Sequence, residues 1–138
     1  MLIVRQLFDF LFIFSVGSNR CCSMNIVVNR EVEKVVHEVR VLKKMPREEE
    51  ALELLRRLAK DSCQILKRYG WRIKCLKEFF PKDSGLLGLN VNRSHISIRL
   101  RIAGAPDTFY PYDSLLGTMV HEISHMEHGN HSAEFYAL

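Results

Sequence analysis

The sequence predicts a single α+β domain, and three patterns of apolar and polar residues support that prediction. Residues 47–70 and 114–128 repeat their apolar side chains at helical spacing, whereas residues 95–102 alternate apolar and polar side chains as a strand does. The chain has 138 residues, of which 47% are hydrophobic, and this is enough for one core. The predicted order of elements is roughly β-α-β-β-α, which is typical of an α+β domain.

The segment from 25 to 45 has two interpretations. Its valines fit either a strand that runs into a short helix or one irregular strand, and Pro46 ends the segment. The helix at 47–70 is better defined, because its acidic residues come first and its basic residues last, as the helix dipole favours. Gly70 fits the C-terminal cap of this helix.

Strand patterns follow the helix. At 71–75 the apolar side chains would face one way and Arg72 and Lys74 the other, and a short apolar stretch occupies 86–91. Residues 95–102 are the most regular: we expect Ile96, Ile98, Leu100 and Ile102 on the core face and Ser97, Arg99 and Arg101 in solvent. Residues 103–113 are predicted to be a loop, after which Asp113 caps a helix that Gly129 closes.

Charge is unevenly distributed along the chain. Residues 1–101 hold all 20 Lys and Arg residues and 11 acidic residues, whereas 102–138 hold five acidic residues and no Lys or Arg. The basic part would attract phosphate groups, although a solvated surface of alternating charges gives the same composition. The cysteines lack zinc-knuckle spacing and are expected to be reduced thiols: Cys21, Cys22, Cys63 and Cys75.

Residues 1–23 are predicted to be a hydrophobic leader, separate from the domain. The apolar run at 7–16 has the outline of a secretory signal, so residues 1–18 are one candidate signal. Alternatively, Met24 is the true start and the leader is an upstream extension. The run is too short to cross a bilayer, which takes about 20 apolar residues.

Four of the six histidines lie between positions 121 and 131. On a helix, His121 and His125 would project from one face, one turn apart, and present two imidazoles to one ion. Glu122 adjoins the first of them, in the HExxH arrangement in which the glutamate is the general base for a zinc-bound water. Zn²⁺ is therefore the predicted cofactor.

A catalytic zinc ion needs a third protein ligand. Gly129 lets the chain leave the helix and turn back, so that His131 would complete the ligand set. His128 is the rival, although its position on the same helix would direct its side chain past the ion. The other candidates have lesser expected roles: Glu127 as a surface acid, Glu134 as a surface acid or hydrogen-bond partner of a ligand, and His37 and His95 as structural or surface residues.

These residues predict a zinc-dependent endopeptidase. Zinc would polarise the scissile carbonyl group, while Glu122 would take a proton from the attacking water and pass it to the departing amine. A second group would stabilise the oxyanion, for which Tyr110, Tyr112 and Tyr136 are candidates. The alternative is a non-catalytic, zinc-stabilised binding module or a truncated fragment.

The region from about residue 25 to residue 138 resembles the WLM family of metalloproteases, relatives of the SprT-like and Spartan proteases. The segments that carry the resemblance are LKEFFPKDSGLLGLNVNR, ISIRLR and FYPYDSLLGTMVHEISHMEHGNHSAEFYAL, with the helix before them. The resemblance implies a minimal zincin-type fold, with a small sheet packed on helices. It also implies the ligands His121, His125 and His131, with Glu122 as the base.

The resemblance further implies DNA-stimulated cleavage of proteins bound or crosslinked to DNA, in the nucleus, with links to SUMO or ubiquitin and to an AAA+ segregase. Candidate contacts to the DNA backbone are Arg99 and Arg101, or Lys43, Lys44 and Arg47. The family domain normally continues past the last residue here, so a C-terminally truncated domain at 25–138, without the tail motifs for SUMO and the segregase, is expected.

A secreted metzincin-like protease is the other enzyme hypothesis. Its histidine spacing is the same, but metzincins have glycine where this chain has His128. A true signal at residues 1–18 would place the protein in the secretory pathway.

Overall fold

The structure is a computed structural model, and it describes residues 30–129. Three helices and six strands lie in this range; in chain order they are α1 (Arg30–Glu33), β1 (Val39–Arg40), α2 (Glu48–Tyr69), β2 (Cys75–Glu78), β3 (Gly88–Val91), β4 (His95–Ile98), β5 (Arg101–Ile102), β6 (Ala105–Phe109) and α3 (Tyr112–Ser124). The α+β class predicted from the sequence is confirmed. Within this range, no helix combines the length and the apolar character that crossing a membrane requires.

A four-stranded sheet with the order β1-β2-β4-β3 forms the centre of the fold. β1 and β2 are parallel, as are β2 and β4, and the edge strand β3 runs antiparallel to β4. Strands β5 and β6 form a separate antiparallel hairpin. The edge strand is the part of the sheet that matters for the site, because it lies against α3.

Both long helices pack on the same face of the sheet. α2 contacts β1 and β2, α3 contacts β3 and β4, and the two helices contact each other. The strand residues beneath them, Leu76, Ile96 and Ile98, are fully buried in one core with apolar side chains of both helices. Burying a side chain of this size contributes about 1.5–3 kcal/mol, so this layer holds α3 firmly against the sheet. On the opposite face of β3, Leu89 and Val91 are exposed.

The structure confirms the helix predicted at 47–70. α2 ends at Tyr69, and Gly70 adopts a left-handed conformation with φ 68°. Its N–H donates to the carbonyl group of Lys67 (3.1 Å), which closes the last turn, and the absence of a Cβ makes this conformation inexpensive. The predicted cap is therefore correct.

The interpretation of residues 25–45 as one irregular strand is wrong, because part of this segment is helical. The helical turn α1 comes before β1, and Val36 forms an isolated parallel bridge with Ile73 between them. Val32, Val35 and Val36 are three and four positions apart, so their side chains gather on one side of a helical turn rather than alternate across a strand. Residues 25–29 lie outside the described range.

The alternation at 95–102 does not mark one half-exposed strand, and the predicted solvent face is wrong. β4 ends at Ile98 and β5 begins at Arg101. The polar residues are buried: Ser97 is 1% exposed, Arg99 2% and Arg101 0%. On the predicted core face, Ile96, Ile98 and Leu100 are fully buried and Ile102 is half-buried.

The two arginines are buried because acceptor groups surround them. Arg99 donates to three carbonyl groups of the loop at 81–84. Arg101 forms an ion pair with Glu78, with 2.5 Å between Nε and Oε1, and both side chains are fully buried. Polarity alone does not separate a buried, paired arginine from a solvated one, so the sequence pattern could not reveal this.

The loop predicted at 103–113 contains a strand. Gly104 turns the chain with φ 78°, and β6 returns along β5. Pro106 is tolerated because each strand of this two-stranded hairpin is an edge strand. Its carbonyl group accepts a hydrogen bond from Arg101 (2.7 Å), which ties the hairpin to the core.

Cys63 and Cys75 are buried free thiols, as predicted, and burial raises the pKa of the Cys75 thiol. The leader at 1–23, with Cys21 and Cys22, lies outside the described residues.

Candidate active site

Helix α3 carries the HExxH residues, but its ends differ from the prediction. It begins at Tyr112, with Pro111 at the cap position, so Asp113 is in the first turn rather than at the N-cap. It ends at Ser124, and His125 is the C-cap, whereas the sequence suggested a helix up to Gly129. The chain continues as a tight turn, in which the N–H of Met126 donates to the carbonyl group of Ile123 (2.9 Å).

His121 and His125 lie together at the end of α3. Their ring centroids are 5.0 Å apart, and the rings are nearly perpendicular, at 82°. For an ion about 2.0–2.1 Å from one nitrogen of each ring, tetrahedral coordination requires centroids roughly 5 Å apart. The pair therefore fits a shared zinc ion.

A hydrogen bond orients the second of these rings. Nδ1 of His125 lies 2.9 Å from the carbonyl oxygen of His128. Because a carbonyl oxygen only accepts, Nδ1 must carry the proton, and Nε2 then carries the lone pair that can bind a metal ion. His128 thus contributes its main chain to the site.

The predicted third ligand, His131, lies outside the described residues. Within residues 30–129, no three side chains of His, Cys, Asp or Glu gather as a metal site. His131, Glu134 and Tyr136 fall outside this range, so the choice between His131 and His128 stays a prediction.

Glu122 is buried between α3 and the edge strand. It is only 5% exposed, and burial raises the pKa of its carboxyl group, while the neighbouring His125 opposes this effect. Nδ2 of Asn90, in β3, donates to the carbonyl oxygen of Glu122 (2.8 Å). Gly88, two residues earlier, leaves the space that the carboxylate occupies.

An open cleft of about 730 Å³ joins these groups. The loop at 85–87 and β3 form one wall. His121 and Glu122 of α3, with the C-cap residue His125, form the other. The two imidazoles and the carboxylate thus meet at the wall of a cavity large enough to admit a peptide segment.

Two of the three tyrosines considered for the oxyanion are used elsewhere. The hydroxyl of Tyr112 donates to Asp61 (2.6 Å), and burial with this hydrogen bond raises its pKa well above the usual range. Tyr110 packs against the core. Neither residue lines the cleft.

Of the residues suggested as DNA contacts, Arg99 and Arg101 do not fit that role. Arg99 and Arg101 are buried, which corrects the expectation that they face solvent. The alternative set, Lys43, Lys44 and Arg47, is exposed and stays a prediction. Lys43 pairs with Glu48 at 2.9 Å and Arg47 with Glu50 at 2.5 Å, both at the start of α2.

His37, His95 and Glu127 agree with their expected structural or surface roles. His37 and Glu127 are exposed, and Nδ1 of His95 lies 2.8 Å from Oγ of Ser94. Sequence reasoning missed Gly88 and Asn90. The available signal was a glycine inside a strand, which often marks a close approach of another segment.

An α+β domain with an HExxH helix packed against an antiparallel edge strand belongs to the class of zincin-type metalloprotease domains. Within that class, this chain belongs to the WLM domain family, whose profile matches residues 34–138. The resemblance noted from the sequence is confirmed.

The relatives agree with this assignment. The chain is 37% identical over 102 residues to the DNA-dependent metalloprotease WSS1 of Saccharomyces cerevisiae, covering 73% of this chain and 38% of that protein. It is 36% identical over 101 residues to the DNA-dependent metalloprotease WSS1 homolog 2 of Schizosaccharomyces pombe, covering 67% and 36%. The chain therefore spans less than two fifths of either relative.

Solved structures show the same fold. The crystal structure of Wss1 from S. cerevisiae superposes with a TM-score of 0.72 at 37% identity, covering 74% of this chain and 80% of that one. The structure of Wss1 from S. pombe gives 0.67 at 34% identity, covering 75% and 85%.

Proposed function

We propose that this protein is a zinc-dependent endopeptidase whose proteolysis is stimulated by DNA. The observation that carries the proposal is one cleft in which two imidazole rings lie 5.0 Å apart beside the buried carboxylate of Glu122. The relatives named as DNA-dependent metalloproteases support both parts of it.

His121, His125 and His131 are the proposed ligands, and Glu122 is the proposed base. Bound zinc would supply a Lewis acid that polarises a carbonyl group and makes water more acidic. Glu122 takes a proton from the attacking water onto its carboxylate and then delivers that proton to the departing amine. Burial raises the pKa of this carboxyl group, so the carboxylate binds a proton from water more strongly.

Protein substrates fit the shape of the cleft. Within residues 30–129, no strand pairs with the outer edge of β3. An extended peptide can add to a free sheet edge through main-chain hydrogen bonds, which are independent of side-chain identity. A substrate bound there would pass in front of Glu122.

The DNA partner is proposed to meet the exposed face of α2. We define the α2 basic face as Arg56, Arg57, Lys60 and Arg68, which project within roughly 120° of one another around the helix. In the part of the chain that the structure describes, no carboxylate lies within 4.0 Å of Arg56, Lys60 or Arg68. Unpaired cations release counterions from the phosphate backbone when they bind it.

The cellular setting rests on the family. DNA-bound or DNA-crosslinked proteins are the proposed substrates, and the nucleus is the proposed location. Links to SUMO or ubiquitin and to an AAA+ segregase rest on the resemblance alone. Membership in the WLM family favours this proposal over a secreted metzincin-like protease.

Glu122→Gln tests the proposed function, because it keeps the side-chain shape and removes the base. We expect one zinc ion per chain in both proteins and a loss of casein cleavage or self-cleavage of about 100-fold or more in the variant. Each protein is assayed with and without single-stranded DNA, and zinc is measured by mass spectrometry. Stoichiometric zinc without proteolysis in the unmodified chain would instead support a non-catalytic binding module.

A further inference from the structure

Gly88 marks the closest approach between the edge strand and the site. A Cβ at this position would lie 2.5 Å from Oε1 of Glu122, 2.8 Å from its Cγ and 2.8 Å from Cγ2 of Thr118. Real Cβ atoms essentially never approach heavy atoms within 3.0 Å, so any other residue would displace the Glu122 side chain, α3 or β3. The glycine is not needed for its backbone conformation, since its φ is not positive.

The register of the sheet explains why this glycine faces the site. Gly88 pairs with Ile98 and Asn90 pairs with Ile96, and both isoleucines point into the core beneath the helices. Gly88 and Asn90 therefore lie on the α3 side of β3, while Leu89 between them is exposed on the other side.

The side chain of Asn90 forms a hydrogen bond with the main chain of Glu122. Its Nδ2 donates to the carbonyl oxygen of Glu122 at 2.8 Å, across 32 positions of sequence. Among the described residues, its Oδ1 is buried without a hydrogen-bond partner. The bond to Glu122 is therefore the hydrogen bond that the Asn90 side chain makes within residues 30–129.

We propose that Gly88 and Asn90 are positioning residues that set the Glu122 carboxylate against the edge strand. Gly88 leaves the space in which the carboxylate lies, and Asn90 fixes the peptide group that carries it. The catalytic consequence rests on the proposed function. A base that is held rigidly can lose much of its effect after a displacement of about 1 Å.

A double-mutant cycle on thermal stability tests the contact without any assay of activity. Gly88→Ala is expected to lower Tm by roughly 4 °C or more in the unmodified chain. In the Glu122→Ala background the drop should be at least halved, because Oε1 and Cγ are gone and only Thr118 still crowds the new methyl group.

Gly117→Ala is the matched control for the cycle. It adds the same methyl group to α3, where a Cβ would have no heavy atom within 4 Å. Its effect on Tm should be the same with and without the Glu122 side chain. Equal Tm losses for Gly88→Ala in both backgrounds would overturn the inference.

Kinetics provides the second readout. Gly88→Ala should keep one zinc ion per chain and lower kcat by roughly 10- to 100-fold, with KM changed much less. Asn90→Leu, which has a similar volume and no donor, should act in the same direction and serves if Gly88→Ala does not fold. Unchanged kcat in either zinc-loaded variant would contradict the proposal.

The two proposals fail in different ways. If the unmodified chain binds zinc but cleaves no protein, the proposed function is contradicted, but the coupling between Gly88 and Glu122 can still be measured from the Tm values. If the chain is active but Gly88 and Glu122 are not coupled in stability, only the positioning role is contradicted.

Discussion

Arg101 is a charged residue whose partners decide its place in the fold. Its guanidinium pairs with Glu78 and donates to the carbonyl groups of Pro46 and Pro106. The second carboxylate oxygen of Glu78 accepts the N–H of Leu42 (3.0 Å). These bonds join β2, the hairpin and the segment before α2 at one buried point.

We expect Arg101→Met to lower the free energy of unfolding by about 3–5 kcal/mol, because it leaves the Glu78 carboxylate buried without its counter-charge. Urea denaturation monitored by circular dichroism measures the loss. Arg40→Met is the matched control: the Arg40–Glu38 pair is exposed (66% and 48%), and its loss should change the stability little. Similar losses of unfolding free energy in the two variants would show that the buried pair contributes no more to stability than the exposed one.

At the scale of elements, α2 changes sign along its length. Its exposed side is acidic in the first two turns and mostly basic afterwards, and Lys43 and Arg47 pair with glutamates at the acidic end. The helix dipole favours this order of charges. The same order leaves the α2 basic face with few carboxylate partners: among the described residues, only Arg57 of this face has one within 4.0 Å.

Charge reversal tests whether DNA meets this face. The double variant Arg56→Glu and Lys60→Glu should weaken binding of single-stranded DNA by about 10-fold or more at low salt. The slope of log K against log salt should become shallower by about 0.7 for each phosphate that the protein no longer neutralises. Fluorescence anisotropy measures both quantities. Lys77→Glu with Lys82→Glu changes the net charge equally at exposed positions outside α2, and equal weakening would mean that net charge alone matters.

An exposed ion pair joins α1 to α2 and gives a pH dependence. Hydrogen bonds from Lys34 and Lys67 lower the pKa of Glu31 from 4.5 to about 2. Because the pKa is lower in the folded state, the stabilisation is complete above about 4.5 and is lost as pH falls towards 2. Glu31→Gln should lower Tm slightly at about pH 7, less at about 1 M salt and not at about pH 2. A difference in Tm that persists at the lowest pH would contradict the assignment.

At the scale of the whole molecule, the proposed metal site joins the end of α3 to the residues that follow it. Zinc that binds only the folded chain stabilises that state through mass action. The ligands can therefore be identified from the effect of zinc on thermal stability as well as from the proteolytic activity.

Zinc at about 100 times its Kd should stabilise the fold by about 2.7 kcal/mol, a rise in Tm of roughly 10 °C that EDTA reverses. His121→Ala, His125→Ala and His131→Ala should each abolish most of this rise, because each removes a ligand. Differential scanning fluorimetry with and without zinc measures the effect. His128→Ala and the exposed control His37→Ala should keep it. Loss of the rise in His128→Ala but not in His131→Ala would make His128 the third ligand.

The sequence by itself determined the elements with local signals, and it predicted the chemistry now proposed for the site. Helical spacing, with a glycine cap, predicted α2, and the spacing of His121, Glu122 and His125 predicted one metal-binding face at the end of α3. These features depend on residues within a few positions of one another, so the periodicity of one segment carries the information.

Only the tertiary structure decided which polar residues are buried and which residues contact Glu122, the proposed base. The Glu78–Arg101 pair joins residues 23 positions apart, and the Asn90–Glu122 bond joins residues 32 apart. The alternation at 95–102 is the same for a solvated arginine and for one enclosed by acceptors. Local periodicity cannot predict such distant partners, because these residues come together only when the strands and α3 pack.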